Sequence, residues 1–136
     1  MRTNDVSSPK KISDYVWAIA QPLPPDHPDF VNTYLIQDKA GDVHVIDPGW
    51  NSDENWGALQ ASLKMLGWQV ADVCSVTVTH QHKDHLGLAQ AIKAESGCAI
   101  AIHRAEQEDL RQETSQLALA LRHNNLQQWD VPASHF

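Results

Sequence analysis

Residues 79–87 have the sequence THQHKDHLG, in which four potential metal ligands fall within residues 80–85. His80 and His82 are two residues apart, and side chains at that spacing point the same way in an extended segment leaving a strand. Asp84 and His85 are adjacent, where the strand gives way to the next helix, and can serve a second ion, because two-metal sites span about 3.5–4 Å. The stretch therefore predicts a metal-binding loop, rather than a solvated loop that happens to be rich in histidine.

The segments around this loop alternate between strand and helix patterns. Upstream, three strands are expected at 15–19, 31–36 and 43–46, the last two forming a hairpin, and a helix then runs from the Asn51-Ser52 cap to Gly67. A buried strand at 73–79 leads into the loop. A helix from Leu86 to about Gly97, a strand at 99–102 and a helix at 104–122 follow it. This order, β-β-β-α-β-α-β-α, indicates an α/β fold.

The whole chain, 1–136, is expected to be one partial domain. Residues 1–11 have the composition of a loose N-terminal arm without a secretory signal, and residues 124–136 that of an irregular tail. Four prolines between Pro22 and Pro28 exclude a regular helix or a central strand there.

Charge and cysteine content narrow the function classes. The chain has ten basic and seventeen acidic residues, a formal net charge of -7, which disfavours nucleic acid and acidic membrane surfaces as partners. No apolar run is long enough to cross a bilayer. The two cysteines, Cys74 and Cys98, are too few for a disulfide framework and are expected as reduced, buried thiols, which favours a cytoplasmic protein.

The ligand loop resembles the H-x-H-x-D-H signature of the metallo-β-lactamase superfamily. Upstream, VNTYLI at 31–36 and VHVIDPG at 43–49 are similar to the opening hairpin and the I-D-x-G turn of that family. Its members include glyoxalase II-type thioesterases, lactonases, β-lactamases and certain nucleases. The resemblance covers residues from about 14 to 103 and implies the N-terminal half of an αβ/βα sandwich.

The resemblance also implies roles for individual residues. His80 and His82 would bind a first zinc, and Asp84 and His85 a second, while Asp84 would also be the catalytic group that orients water and takes a proton. Asp47 matches a carboxylate that supports the loop, since a ligating histidine needs its other nitrogen fixed; an ordinary strand-ending turn residue is the alternative. One or two Zn²⁺ ions are expected, with Fe or Mn as alternatives.

The expected chemistry is hydrolysis by metal-bound hydroxide. Zinc lowers the pKa of its bound water to about 7, so that hydroxide is available to attack a polarised carbonyl. The predicted substrate is a small ester, thioester or lactone. The sequence contains no G-x-S-x-G elbow, C-x-x-C pair or phosphate-binding glycine loop to support another mechanism.

The sequence departs from the family pattern after the loop. A complete family site adds a third histidine, a bridging aspartate and a last histidine, and no segment up to Phe136 matches them. The remaining histidines have no motif spacing and are poor substitutes; they are His27, His44, His103, His123 and His135. Whether this chain is itself an active enzyme therefore stays open. The alternative is a non-catalytic, truncated module that binds metal weakly or not at all and self-associates.

The aromatic residues and the sheet give the last expectations. Trp17, Trp56 and Trp68 are expected in the core, and Trp50, after the 47–49 turn, at least partly buried. A half domain would leave one sheet face without a partner, so two copies could pack face to face as a homodimer.

Overall fold

A six-stranded mixed sheet forms the centre of the computed structural model, which describes residues 8–112. Its strands follow one another across the sheet in chain order. They are β1 (Lys10–Lys11), β2 (Val16–Pro22), β3 (Phe30–Gln37), β4 (Val43–Ile46), β5 (Val73–Val78) and β6 (Ala99–Ile102). The first three pairings are antiparallel, whereas β4, β5 and β6 are parallel to one another. The predicted α/β class and the β3–β4 hairpin are confirmed.

Helical segments connect the parallel strands. They are α1 (Asp53–Met65), a 3-10 turn (Val70–Asp72), α2 (Lys83–Leu86) and α3 (Ala89–Ser96), and residues 104–112 are also helical. The predicted helix at 104–122 is thus seen as far as the description extends. Its remainder and the predicted tail at 124–136 lie outside the described residues, as do residues 1–7.

Helix α1 begins and ends where its sequence indicates. The Ser52 side chain accepts a hydrogen bond from the backbone N–H of Asn55 at 3.1 Å, as an N-cap does. Leu59 and Leu63 are fully buried against the sheet, and Leu66 is partly buried beside them. Gly67 follows the helix with φ +84°, a conformation that glycine adopts without strain.

The helix expected from Leu86 to Gly97 is divided in two. Helical structure already starts at Lys83, so Asp84 and His85 lie within a short helix rather than ahead of one. It breaks because the backbone N–H of Leu88 bonds to the carbonyl oxygen of Gly49 at 3.0 Å, outside the helix. A hydrogen bond to a distant turn thus interrupts a sequence that favours continuous helix.

Strand β2 also differs from its expected bounds. It continues past Ile19 to Pro22, which pairs with Phe30 at the end of the β2–β3 ladder. Proline is tolerated there because β1 pairs with Ala18 and Trp17 only, so that among residues 8–112 no strand pairs with the far half of this β2 edge. Strand β1 itself lies in the segment expected to be a loose arm; its ladder is made by backbone groups, for which no side-chain pattern is required.

The core lies between one face of the sheet and the helices. Its fully buried members are Leu35, Val45, Leu59, Leu63, Val76, Ala89 and Ile92. Trp17, Trp56 and Trp68 pack at its margin, partly buried, and the rings of Trp17 and Trp68 meet edge to face at 5.4 Å.

The expected buried strand, β5, is buried on this face only. Val73, Val76 and Val78 are buried, whereas Cys74 and Thr77 are exposed. The expectation of a buried Cys74 is therefore wrong, because its side chain points away from the helices; Cys98 is buried as expected, and both cysteines are free.

The parallel part of the sheet places three chain segments at one edge. Strands β4, β5 and β6 end at Ile46, Val78 and Ile102, and parallel strands present their carboxyl ends on the same side. The next residues are the 47–49 turn, the ligand loop and the helix at 104–112. None of the helices within residues 8–112 has both the length and the apolar character needed to cross a bilayer.

Candidate metal centre

The ligand loop brings three of its four candidate ligands together. His80, His82 and Asp84 each offer one ligand atom, and these atoms all lie within 4.8 Å of one another. His80 and Asp84 are partly buried, whereas His82 is exposed. The rings of His80 and His82 have centroids 4.7 Å apart, nearly at right angles. The two histidines, at i and i+2, and Asp84 in the first turn of α2 thus bring their ligand atoms to one place.

This arrangement fits a divalent transition metal. Zinc bonds to histidine nitrogen or carboxylate oxygen are about 2.0–2.2 Å long, which places ligand atoms roughly 3.3–3.6 Å apart around a tetrahedral ion. The observed limit of 4.8 Å exceeds that by little more than 1 Å. Side-chain rotation alone can close such a gap, and the set of two imidazoles and one carboxylate suits zinc, with iron or manganese also compatible.

His85, the fourth candidate, lies beside this group rather than in it. Its Nδ1 contacts Asp47 Oδ2 at 2.9 Å, and its Nε2 lies 3.5 Å from Asp84 Oδ2. Its ring centroid is 4.0 Å from that of His80. Asp84 is close to His80 and His82 on one side and to His85 on the other, so it lies between the first pair of histidines and the last. The division of the four residues between two ions stays a prediction.

Asp47 forms the base of the loop. Its Oδ1 accepts the backbone N–H of Thr79 at 2.7 Å, and its Oδ2 accepts the Thr79 hydroxyl at 2.7 Å as well as the His85 Nδ1 bond. The carboxylate is buried, and Asp47 has φ +52°, a conformation that aspartate tolerates better than most residues. The position matches the supporting carboxylate that the sequence resemblance implies.

Thr79 extends this support to His80. The Thr79 hydroxyl has one hydrogen, which it donates to Asp47, so its 2.9 Å bond to His80 Nδ1 takes the hydrogen from the ring. In the neutral His80 ring this contact places the hydrogen on Nδ1 and leaves the Nε2 lone pair for a metal, which is the tautomer that binds one through Nε2. Sequence reasoning missed Thr79, although a hydroxyl directly before the first ligand was visible in it.

The 47–49 turn is also fastened to α2 through its backbone. The N–H of Gly49 bonds to the His85 carbonyl oxygen at 3.3 Å. A Cβ on Gly87 would lie 2.5 Å from the backbone nitrogen of Asn51 and 2.6 Å from the carbonyl oxygen of Gly49. Only glycine therefore allows α2 to approach this closely, and the approach sets where Asp84 and His85 stand.

Buried polar side chains behind the turn were not found from the sequence. Gln21 Nε2 donates to the carbonyl oxygens of Pro48 and Asn55 at 3.4 and 3.2 Å, and Asn55 Nδ2 donates to those of Pro22 and Trp50 at 2.9 and 3.1 Å. The Thr33 hydroxyl donates to the Asp47 carbonyl oxygen at 2.5 Å. Nothing in a lone glutamine, asparagine or threonine marks it as a support for a turn distant in sequence.

The remaining described histidines lie away from the group of three. His44 contacts Asp38 and Ser75, and His27 lies 5.4 Å from Trp50, ring to ring. Trp50 is partly buried, as expected. His103 is exposed, and its Nδ1 accepts the backbone N–H of Ala105 at 3.1 Å, as a helix cap. His123 and His135 lie outside the described residues.

Sequence comparison identifies the family to which the chain belongs. The sequence model of the metallo-beta-lactamase superfamily matches residues 27–131. The chain belongs to this superfamily. The match includes the 47–49 turn and the whole ligand loop. No curated protein matches the chain.

Solved structures agree with this assignment. The chain is similar to a metallo-beta-lactamase family protein from Thermus thermophilus, with 28% identity and a TM-score of 0.70 over 83% of this chain and 38% of that one. A metallo-beta-lactamase from Cronobacter sakazakii shares the fold, with 22% identity and a TM-score of 0.62 over 78% and 38% of the two chains. So does GOB-18 from Elizabethkingia meningoseptica, with 21% identity and a TM-score of 0.56 over 74% and 34%. The chain thus spans well under half the length of these superfamily members.

Proposed function

We propose that residues 79–85 form the metal-binding part of a metal-dependent hydrolase, with zinc as the metal. The convergence of His80, His82 and Asp84 within 4.8 Å carries the proposal. Superfamily membership and the carboxylate support from Asp47 make a metal-binding role the simplest reason for the arrangement. These three residues are among the four ligands that the sequence resemblance implies.

The chain's own residues have distinct tasks in this proposal. His80 and His82 hold the ion, and Thr79 keeps the His80 proton on Nδ1. Asp84 contributes a carboxylate to the ion and can hold a proton at its free oxygen. A bound divalent metal supplies a Lewis acid and activates water near neutral pH. Asp47 keeps His85 oriented towards Asp84, so that these two loop residues stay in place.

The substrate class follows from the superfamily and the charge. We infer a small ester, thioester or lactone, because a net charge of -7 repels polyanions such as nucleic acids. The chain spans about 38% of the length of the Thermus thermophilus protein. If the four loop residues serve two ions, as the resemblance implies, each ion has about two ligands from this chain, fewer than the usual three or four, so the metal should be held less tightly than in a complete site.

Metal binding is the direct test. Co²⁺ is added to the purified chain, and the visible spectrum and equilibrium dialysis are recorded for the wild type, His82→Ala and His44→Ala. We expect the wild type and His44→Ala to bind, and His82→Ala to lose binding, because the His44 ring contacts Ser75 and Asp38 rather than the group of three. Equal binding by all three proteins would refute the site.

Hydrolysis tests the reaction class separately. A panel of a p-nitrophenyl ester, a thioester, a lactone and a β-lactam is assayed with and without Zn²⁺. We expect slow, zinc-dependent turnover of an ester, thioester or lactone that disappears in His82→Ala. Turnover that survives removal of zinc would contradict the proposal.

Self-association stays a prediction, and one observation favours it. On the sheet face opposite the core, Tyr34, Ile36 and Ile46 are only partly buried, and Phe30 is 53% exposed. An apolar patch of this kind favours association when it exceeds a few hundred Å². Light scattering across a dilution series decides, since a monomer at all concentrations would reject the dimer.

A further inference from the structure

Glu106 contacts the ligand loop at its centre. Its Oε2 accepts a hydrogen bond from the backbone N–H of Gln81 at 3.1 Å. Gln81 is the residue between His80 and His82, and its N–H belongs to the first of the two peptide units that join these histidines, so this bond holds that unit. The glutamate is partly buried and lies 25 positions further along the chain.

The position of Glu106 in its own helix makes this contact informative. His103 caps the helix, since its Nδ1 accepts the Ala105 N–H, and Glu106 is therefore the third residue after the cap. In a capping box, a glutamate at this position folds back onto the N–H of its own cap residue. Here its carboxylate extends to a loop that follows a different strand. The parallel pairing of β5 and β6 makes this possible, because both strands end at the same edge.

We propose that Glu106 is a positioning residue of the metal centre, which fixes the backbone between His80 and His82. This inference rests on the proposed metal-binding function. The two side chains point to one ion only while the backbone between them keeps its conformation. A carboxylate is a strong acceptor for that N–H, stronger than a neutral one. Its negative charge beside the loop also favours a nearby cation.

The chain provides a matched control. Glu108 is on the same helix two residues later, and its carboxylate pairs only at the surface with Arg111 at 3.9 Å. Glu108→Ala removes the same charge and the same side-chain atoms without touching the loop. Glu106→Gln keeps an oxygen that can accept the Gln81 N–H while it removes the charge.

The hydrogen bond is tested first without metal. In ¹H–¹⁵N spectra of the metal-free protein, the Gln81 amide proton of the wild type should lie downfield and resist exchange with solvent. Glu106→Ala should move it upfield and increase its exchange rate, and Glu108→Ala should not. An unchanged Gln81 signal in Glu106→Ala would overturn the inference, whatever the metal experiment gives.

Co²⁺ binding then tests the effect on the site. We expect Glu106→Ala to weaken Co²⁺ binding roughly 10- to 100-fold and to alter the visible spectrum, as loss of a support to a metal ligand does. Glu106→Gln should restore most of the affinity, and Glu108→Ala should bind as the wild type does. A purely structural role would lower the Tm of Glu106→Ala and leave the spectrum of the bound ion unchanged, which would overturn the inference. So would a loss in Glu106→Gln as large as in Glu106→Ala.

The two proposals fail in different ways. If the wild type binds no Co²⁺ and the Gln81 amide still responds to Glu106→Ala, the metal-binding function is wrong, and with it the positioning role. If the wild type binds Co²⁺ and His82→Ala does not, while Glu106→Ala matches Glu108→Ala, only the role of Glu106 is wrong.

Discussion

Two aspartate–histidine pairs in this molecule have nearly the same bond length and very different surroundings. His85 Nδ1 lies 2.9 Å from Asp47 Oδ2, and His44 Nε2 lies 2.8 Å from Asp38 Oδ2. The side chains of the first pair are 19% and 8% exposed, and those of the second 30% and 39%. The first lies at the carboxyl ends of the parallel strands, and the second on the β3–β4 hairpin.

The partners of the two aspartates account for the difference. Asp47 also binds the backbone and the hydroxyl of Thr79, and so supports His80 and His85 together. Asp38 binds the N–H groups of Ala40 and Asp42 within its own turn. Both pairs contain the same chemical groups, and only the first lies where other candidate ligands converge. An aspartate–histidine pair therefore indicates a metal site only where other candidate ligands lie beside it.

The largest effect is expected from removal of the buried carboxylate. Asp47→Ala leaves the N–H and hydroxyl of Thr79 and the Nδ1 of His85 without their acceptor, and places alanine at a positive φ. We expect a loss of about 3 kcal/mol or more in the free energy of unfolding. Urea titration measures it. Asparagine also tolerates this backbone conformation. Asp47→Asn should therefore lose less stability than Asp47→Ala, and its remaining loss measures the effect of removing the carboxylate charge.

Asp38→Ala is the corresponding change in the exposed pair. We expect only a small shift of its urea midpoint, because solvent can replace the lost partner. Equal losses in Asp38→Ala and Asp47→Ala would show that burial does not distinguish the two pairs.

A smaller loss is expected when α2 is pushed from the 47–49 turn. Gly87→Ala puts a Cβ 2.5 Å from the Asn51 nitrogen, so the backbone must shift, at a cost of about 1–3 kcal/mol. Gly57→Ala in α1 meets nothing within 4 Å and should be neutral or stabilising by up to about 1 kcal/mol. Thermal unfolding compares the two, and a Gly87→Ala as stable as Gly57→Ala would contradict the close approach.

The histidines of the two pairs should differ in their effect on metal affinity. His85→Ala removes a ring that touches both His80 and Asp84, and should weaken Co²⁺ binding roughly 10- to 100-fold. His44→Ala should leave it unchanged. The ratio of the two dissociation constants is the measurement, and a ratio near one would remove His85 from the site.

The smallest effect concerns pH and the exposed pair. The hydrogen bond from His44, followed by the backbone N–H of Asp42, lowers the pKa of Asp38 below its ordinary value. A carboxyl with a lowered pKa in the folded state stabilises the protein above about pH 4 and loses that contribution as the pH falls further. The Tm difference between wild type and Asp38→Asn should therefore be small near pH 6 and shrink towards pH 3. A Tm difference that grows as the pH falls would contradict a lowered pKa of Asp38 in the folded protein.

Most of the fold was predictable because its signals are local. The Ser52 cap, the spacing of Leu59 and Leu63, and the turn before β4 each involve neighbours in sequence. Failures occurred where a distant group decided the outcome. The carbonyl oxygen of Gly49 breaks the helix after Leu86, and Cys74 is exposed because it lies on the sheet face opposite the described helices.

The candidate site divides in the same way. By itself the sequence determined the superfamily and predicted His80, His82, Asp84 and His85 as ligands, since their spacing along a strand end and one helical turn is a local property. The resemblance also implied Asp47 as a support of that loop, but only the tertiary structure showed the contacts that Thr79 and Glu106 make with it. Asp47, Thr79 and Glu106 belong to segments that follow three different strands, and they meet because those strands are parallel and end at one edge of the sheet. Hydrogen bonds between such segments depend on which strands pair. The spacing of residues along the chain does not specify that pairing.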